Sequence, residues 1–570
     1  MTKPVDLVFL WHMHQPDYRD YASGDFVLPW VYLHAIKDYT DMAYHLEQHP
    51  RVKVVVNFVP VLLDQLEDYK QQFATGTIRD PLLRLLAREN LNDVSVDERN
   101  LIIDSCFRSD HKQMVAPYPF YKRLSDLYKT LEPGGRAAIS YLSGQYLADL
   151  LTWYHLVWCG ESVRREHDLV IQLMSKDENF TYEDRKQLFD LIGHSVSGII
   201  PRYRKLAESG QIELSTTPHY HPLAPLLLDL HSARESQPNT SLPQSQAYPG
   251  GRVRVQAQLL QAIESHQSRF GARPQGIWPA EGAVSTELLE LLAENGCRWT
   301  ASGENVLSNS LHYAHRYTTE RAKYLYRPYL LQGANSVHCF FRDDHLADLI
   351  GFEYSNWNGK DAALHFVAQI EAIAGLATEG EKPLVSVILD GENAWEYYPY
   401  NGYHFLNDLY TALEAHQQIH TTHYRDYLNL RAEDADHGLV SEGELPGLIA
   451  GSWVYGTFST WIGSPDKNHA WDLLCDAKQK YDMVMVAGHL SAEERVAAEK
   501  QLSSCESSDW FWWFGDYNPS HAVESFDRLY RHNLMQLYRL LKLPVPDNLN
   551  LPISQGGGMV EAGGTMRRGS

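Results

Sequence analysis

Seven short apolar segments, each running into polar or aromatic residues, constrain this chain more than any other feature. They are Asp6–Trp11, Val52–Phe58, Gln211–Thr216, Gln275–Trp278, Cys297–Ala301, Ser336–Phe341 and Val385–Leu389. Such short apolar runs read as strands buried on both faces. Amphipathic helical stretches separate most of them; after the second, Leu62, Leu63, Leu66 and Tyr69 share one helical face. Strands alternating with helices build a parallel sheet. A parallel barrel gathers its functional groups at the C-terminal ends of its strands. Those ends carry His12 and His14, Asn57, Thr217 and His219, Glu281, Ser302, Arg342 and Asp343, and Asp390. The expected fold is therefore α/β: a seven-stranded (β/α)7 barrel with helical insertions, followed by a C-terminal α-helical domain.

The pattern divides the chain. Residues 1–435 read as the barrel, interrupted at about 60–205 by a helical insertion that includes Ile139–Trp158 and Tyr182–Glu208. His231–Gly251, rich in Ser, Pro, Gln and Asn, reads as a loop. Strands stop after about Asp436, and residues 436–555 read as a helical domain that completes the substrate cleft. Ser464-Pro465 is an N-cap followed by proline at the first helical position. Ser491-Ala492-Glu493-Glu494 is a capping box. A final helix shows Phe526, Tyr530, Leu534, Leu537 and Leu541 on one face. The Gly-rich tail, 556–570, reads as disordered.

Composition narrows the partners. Asp and Glu number 72 against 50 Lys and Arg, a formal charge of −22. That charge argues against nucleic acid and anionic membranes and suits a neutral substrate. No apolar run reaches the length of a membrane span. The N-terminus lacks a signal-peptide pattern, since Val5 to Trp11 is short and His12 follows at once. Six dispersed cysteines without a C-x-x-C pair fit reduced thiols in the cytoplasm. The sequence sets no oligomeric state.

Two acids stand out at strand ends. Asp390, in Leu389-Asp390-Gly391-Glu392-Asn393-Ala394-Trp395, closes the seventh strand; Glu281, in Trp278-Pro279-Ala280-Glu281, closes the fourth. Each has a tryptophan close by. Paired carboxylates do the acid, base and nucleophile work of glycosidases, and aromatic faces bind sugar rings. His12-Met13-His14 and His219-Tyr220-His221 admit three readings: ligands of a divalent metal, core histidines satisfied by hydrogen bonds, or imidazoles that contact sugar hydroxyls. No metal ligands are assigned and no cofactor is required. A calcium ion is compatible with this many carboxylates, but no EF-hand-like loop is present.

Five stretches in order resemble glycoside hydrolase family 57. They are His14-Gln15-Pro16, Gly210-Gln211-Ile212-Glu213, Trp278-Pro279-Ala280-Glu281-Gly282, Asp390-Gly391-Glu392-Asn393, and Ser452-Trp453 with Trp461-Ile462-Gly463. The resemblance implies a retaining enzyme active on α-glucans. It makes Glu281 the nucleophile and Asp390, rather than its neighbour Glu392, the general acid/base, with carboxyl groups about 5–5.5 Å apart. His12, His14, Glu213, His221, Trp278, Arg342, Asp343, Trp395, Trp453 and Trp461 become candidates for substrate binding or support. The contexts Trp278–Ser285 and Asp390–Pro399 look like the amylopullulanase type. That type implies α-1,4 cleavage, with α-1,6 bonds as a second target. A 4-α-glucanotransferase or branching enzyme with the same site is the alternative; a metal-dependent hydrolase built on the H-x-H pairs is a more distant one. Asp509-Trp510-Phe511-Trp512-Trp513 either reaches the cleft or joins the two domains.

Overall fold

A computed structural model of the chain describes residues 3–131, 135, 139–331, 337–378, 381–433, 442–558 and 566–567. Ten strands form one sheet: β1 (Val5–Met13), β2 (Val54–Phe58), β3 (Ile212–Thr216), β4 (Gly276–Ile277), β5 (Trp299–Ser302), β6 (Tyr329–Leu331), β7 (His338–Phe341), β8 (Leu384–Asp390), β9 (Ile419–Thr421) and β10 (Gly443–Leu445). Their order is β10-β6-β7-β5-β4-β3-β2-β1-β8, with β9 also on β1. Among the strands of the described residues, only the β6–β7 pair is antiparallel. Between β7 and β8 the Asp343 N–H donates to the Ser386 carbonyl at 2.8 Å, joining the two ends of the parallel ring. The fold is a (β/α)7 barrel, made by β1, β2, β3, β4, β5, β7 and β8.

All seven expected strands are present. Strands β6, β9 and β10 were not read from the sequence. Each spans three residues, too few for a periodic signal. Strand β10 lies beyond Asp436, where no strand was expected; the start of the expected sixth strand, Ser336, and Asp436 lie outside the described residues. Strand β1 is buried along all nine residues. It sits between β2 and β8, so nothing on either face meets water.

Helices fill the long gap between β2 and β3. The helix Pro60–Thr75 starts on proline and stops at left-handed Gly76. Gly144–Trp158 buries nearly every residue, as a helix apolar all round must. It delivers Trp158 towards the barrel mouth. Tyr182–Glu208 begins with a capping box between Thr181 and Asp184. The expected loop at His231–Gly251 opens on the end of a 3-10 turn, Leu230–Ser232, and a short helix, Ala233–Ser236, and is irregular from there to the helix that starts at Gly251.

Beyond β10 come the helices Pro465–Ala487, Ala492–Cys505, Asp509–Trp513 and Ser520–Leu540. The Ser491–Glu494 capping box forms. Ser464 occupies the N-cap position of its helix, but its hydroxyl makes no capping bond. Trp471 stacks on Phe511 with ring centroids 4.4 Å apart. Of the tail, Gly557 and Gly558 donate to the Asn518 carbonyl, and the Arg567 guanidinium lies 3.9 Å from the Tyr517 ring centre.

A buried ion pair ties this helical region to the barrel. Arg254, on the helix Gly251–Phe270 that precedes β4, donates to both carboxylate oxygens of Glu506 at 2.7 and 3.0 Å. Gln258 and Tyr248 donate to the same carboxylate. Glu506 is fully buried, so its charge is stable only inside this set of donors. Arg254→Ala leaves that carboxylate stranded. It should cost about 3–5 kcal/mol in chemical denaturation, and Arg254→Ala/Glu506→Gln should recover part of the loss.

Candidate active site

Parallel register assembles the rim. His12 stands opposite Asn57 of β2 and opposite Asp390 of β8. The Asn57 side-chain oxygen lies 2.7 Å from His12 Nδ1. It also accepts from Thr217, while the Asn57 amide donates to Ser215. These bonds cross three strands and fix the His12 ring.

Glu281 leaves the end of β4 in a tight turn, Ala280–Gly282, with φ of 59°. A non-glycine residue in the left-handed region is strained and needs surrounding restraint. The restraint is visible. The Glu281 carbonyl accepts from the Trp453 N–H at 3.1 Å, and Val284 and Gly451 exchange both backbone hydrogen bonds. Ser302 holds the Gly282 carbonyl. The turn therefore presents the carboxyl group inward.

The helical region supplies its neighbours. Ser508 donates to Glu281 Oε1 at 3.0 Å, and its hydroxyl lies 2.9 Å from His221 Nδ1. His221, another left-handed residue at φ 58°, has its carbonyl bound by the Ser508 N–H. His14 Nε2 lies 2.9 and 3.0 Å from the two Asp509 oxygens. The His14 and His221 rings stack with centroids 3.8 Å apart, and His12 stacks on His221 at 5.3 Å.

Burial sets the electrostatics. It raises Glu281 to about 8, with the charges of Asp509 and Asp390 adding to the shift and Ser508 opposing it. Burial raises Asp390 to about 6; the Asn393 amide, 2.9 Å away, and the Arg342 charge oppose that rise. Glu392, held by the His14 N–H and the Gln15 amide, is pushed well up by burial and by Asp390. Desolvation lowers His12 and His14 to about 3 and depresses His221 further, so all three imidazoles are neutral at pH 7.

These groups open onto a cavity of about 450 Å³. Six of the expected site residues line it: His12, His14, His221, Glu281, Asp390 and Trp453. The other six do not. Glu213 is buried beneath, accepting from Trp299 Nε1 and the Arg425 N–H at 2.9 Å each. Asp343 caps the following helix and binds Arg321 and Tyr326, a network at the barrel mouth. Arg342 lies over Trp453 at 5.2 Å and pairs with Asp348. Trp278 packs edge-on against Trp453, Trp395 against Trp11, and Trp461 against Trp512. These three tryptophans are at most 1% exposed, so they pack behind the cavity lining and offer no face to a ligand.

Sequence reasoning missed Ser508 and Asp509. Their signal was the aromatic run that follows them, part of which reaches the cleft. Trp512 and Trp513 line the cavity, while Trp510 and Phe511 are buried in the helical region. Trp30 and Trp158, 5.7 Å apart, wall another part.

A (β/α)7 barrel whose rim turns two carboxyl groups into one aromatic-walled cavity has the form of a glycosidase-type enzyme. A family model for glycosyl hydrolase family 57 matches residues 8–439, and the chain belongs to that family. Among solved structures, it is similar to a family 57 branching enzyme from Thermococcus kodakaraensis at 16% identity and TM-score 0.57, covering 94% of this chain and 90% of that one. A branching enzyme from Pyrococcus horikoshii matches at 18% identity and TM-score 0.55, covering 98% of each chain. The α-amylase AmyC from Thermotoga maritima matches at 13% and 0.55, covering 95% and 93%. Comparison with curated protein sequences gave no match. All described cysteines are free thiols, and among the described residues no helix is long and apolar enough to cross a membrane.

After burial itself, the Asp509 charge contributes most to the rise of Glu281. Asp509→Asn should therefore lower the Glu281 pKa. Infrared titration of the protonated-carboxyl band, assigned with Glu281→Gln, should show that band lost at lower pH than in the unaltered protein.

Proposed function

We propose that this chain is a retaining glycoside hydrolase acting on α-glucans, of the amylopullulanase type, with α-1,4 bonds as the main target and α-1,6 bonds as the second. One observation carries the reading: Glu281 and Asp390, from opposite parts of the ring, line the same cavity, and the Asp390 charge acts on Glu281. Asp390 gives its proton to the glycosidic oxygen while Glu281 attacks the anomeric carbon, forming a glycosyl-enzyme ester. Asp390, now ionised, takes a proton from water, which displaces Glu281 and releases the sugar. A glucan hydroxyl in place of water gives transfer, the second reading. It has support in the aromatic walls of the cavity, which favour a sugar acceptor over water, and in the two branching enzymes of like fold. Dispersed free thiols support a cytoplasmic setting, where glycogen and maltodextrins are available. Residues 436–555 act here as the unit that completes the cleft.

The reaction needs one proton shared by the two carboxyl groups. In the free site Glu281 holds it more tightly. A cationic anomeric centre beside Glu281 reverses that order, because positive charge favours the ionised form. Below about 6 both groups are protonated and the nucleophile is lost; above about 8 both are ionised and the acid is lost. The profile of kcat/KM should be a bell with limbs near those values, belonging to the pair.

Reducing-sugar release from amylose and pullulan, measured side by side, tests the proposal. Glu281→Ala and Asp390→Asn should each lower it by about two to four orders of magnitude. Proton NMR of the first product should show the α-anomer. Release unchanged in both variants, or a β-anomer formed first, would refute the mechanism. Long products without net reducing ends would identify the transferase.

A further inference from the structure

Four carboxyl groups, Glu281, Asp390, Glu392 and Asp509, surround the inner end of the cavity. Among the described residues, no Lys or Arg forms an ion pair with any of them. His14 and His221 stand directly beside two of them, Asp509 and Glu281. Any of them that ionises is costly without a counter-charge. A cation would relieve it.

The donors for one are in place. His14, His221 and Asp509 each offer a ligand atom, and these atoms lie within 4.8 Å of one another. His14 Nε2 is 2.9 Å from Asp509 Oδ1, and His221 Nδ1 is 3.9 Å from it. Ligands on one tetrahedral ion at 2.0–2.2 Å would stand about 3.4 Å apart. The two observed separations bracket that value, so small side-chain shifts close the site. Two neutral imidazoles and a carboxylate are the donor set of zinc and similar divalent transition metals, not of calcium or magnesium. All three residues are held by strand ends or by the helical region, and none is on a free loop tip.

We propose that His14, His221 and Asp509 form a divalent transition-metal site of the zinc class in the wall of the catalytic cavity. On binding, the imidazole proton of His14 moves to Nδ1, which frees Nε2, and that of His221 moves to Nε2, so that Nδ1 exchanges its hydrogen bond with Ser508 for the ion. Glu281 Oε1, 3.9 Å from His221 Nδ1, borders the site. Three protein ligands leave a coordination position open to the cavity. If the glycosidase reading holds, that position takes a substrate hydroxyl; the site itself does not depend on that reading.

The test uses the full chain, stripped with chelator and dialysed. Titration with Zn²⁺ by calorimetry should show one ion bound per chain, and Co²⁺ should give visible absorption bands of a low-coordinate site. His14→Gln, His221→Ala and Asp509→Asn should each weaken uptake at least tenfold. His219→Ala, which removes a histidine paired with Asp64 on the outer surface, should leave it unchanged. Circular dichroism confirms that each variant is folded; His14→Gln keeps the assay open if His221→Ala unfolds. No Zn²⁺ uptake, or uptake that survives in folded His14→Gln and Asp509→Asn, overturns the proposal. Because the readouts are binding and absorption, metal uptake without sugar release would sink the glycosidase reading alone, and sugar release without uptake would sink this one alone.

Discussion

Desolvation of ionisable groups at one rim of a parallel sheet is the constraint on which this structure depends. Parallel pairing sends every strand end to the same side. The β1 register sets His12 between Asn57 and Asp390, so imidazole, amide and carboxyl group arrive on one level. Burial then does the chemical tuning. It raises carboxyl groups and depresses imidazoles through the same physical penalty on charge. The result is a pocket able to hold protons on acids and lone pairs on histidines at neutral pH.

That burial is not produced by the barrel alone. Ser508 and Asp509 come from the helical region, and the Arg254–Glu506 pair seats the segment just before them. The strained turn at Glu281 and the strained His221 meet across this junction. Two left-handed non-glycine residues at one site mean that packing on both sides overrides local preference. The site is thus a product of tertiary assembly, and its stability is tied to a salt bridge outside the cavity.

This division explains what was legible in the sequence. The longer ring strands β1, β2 and β8 sit in mainly apolar runs, because both faces are covered, and such runs announce themselves. Glu281 and Asp390 were visible because each ends such a run. The three-residue strands β6, β9 and β10 were not, since they carry no period. Tryptophans misled more than any other residue. Trp278, Trp395 and Trp461 lie in or beside the motifs that resemble the family, yet they pack behind the cavity lining, and nothing local separates a packed ring from a platform. Glu213 likewise serves Trp299 and the Arg425 backbone beneath the rim. Asp509 was illegible as a functional acid because its partner, His14, lies almost five hundred positions away in sequence.

The order of the chain has a temporal consequence. All seven ring strands have been made once Asp390 leaves the ribosome, so the barrel can close early. Ser508 and Asp509 follow more than a hundred residues later, a delay on the order of ten seconds at ordinary rates of synthesis. In that interval Glu281 lacks the neighbours that enclose it and faces water, where a carboxyl group ionises at its ordinary pKa. The nascent barrel carries Glu281 and Asp390 but not the environment that tunes them. Competence arrives only with the last fifth of the chain, as a property of completed synthesis.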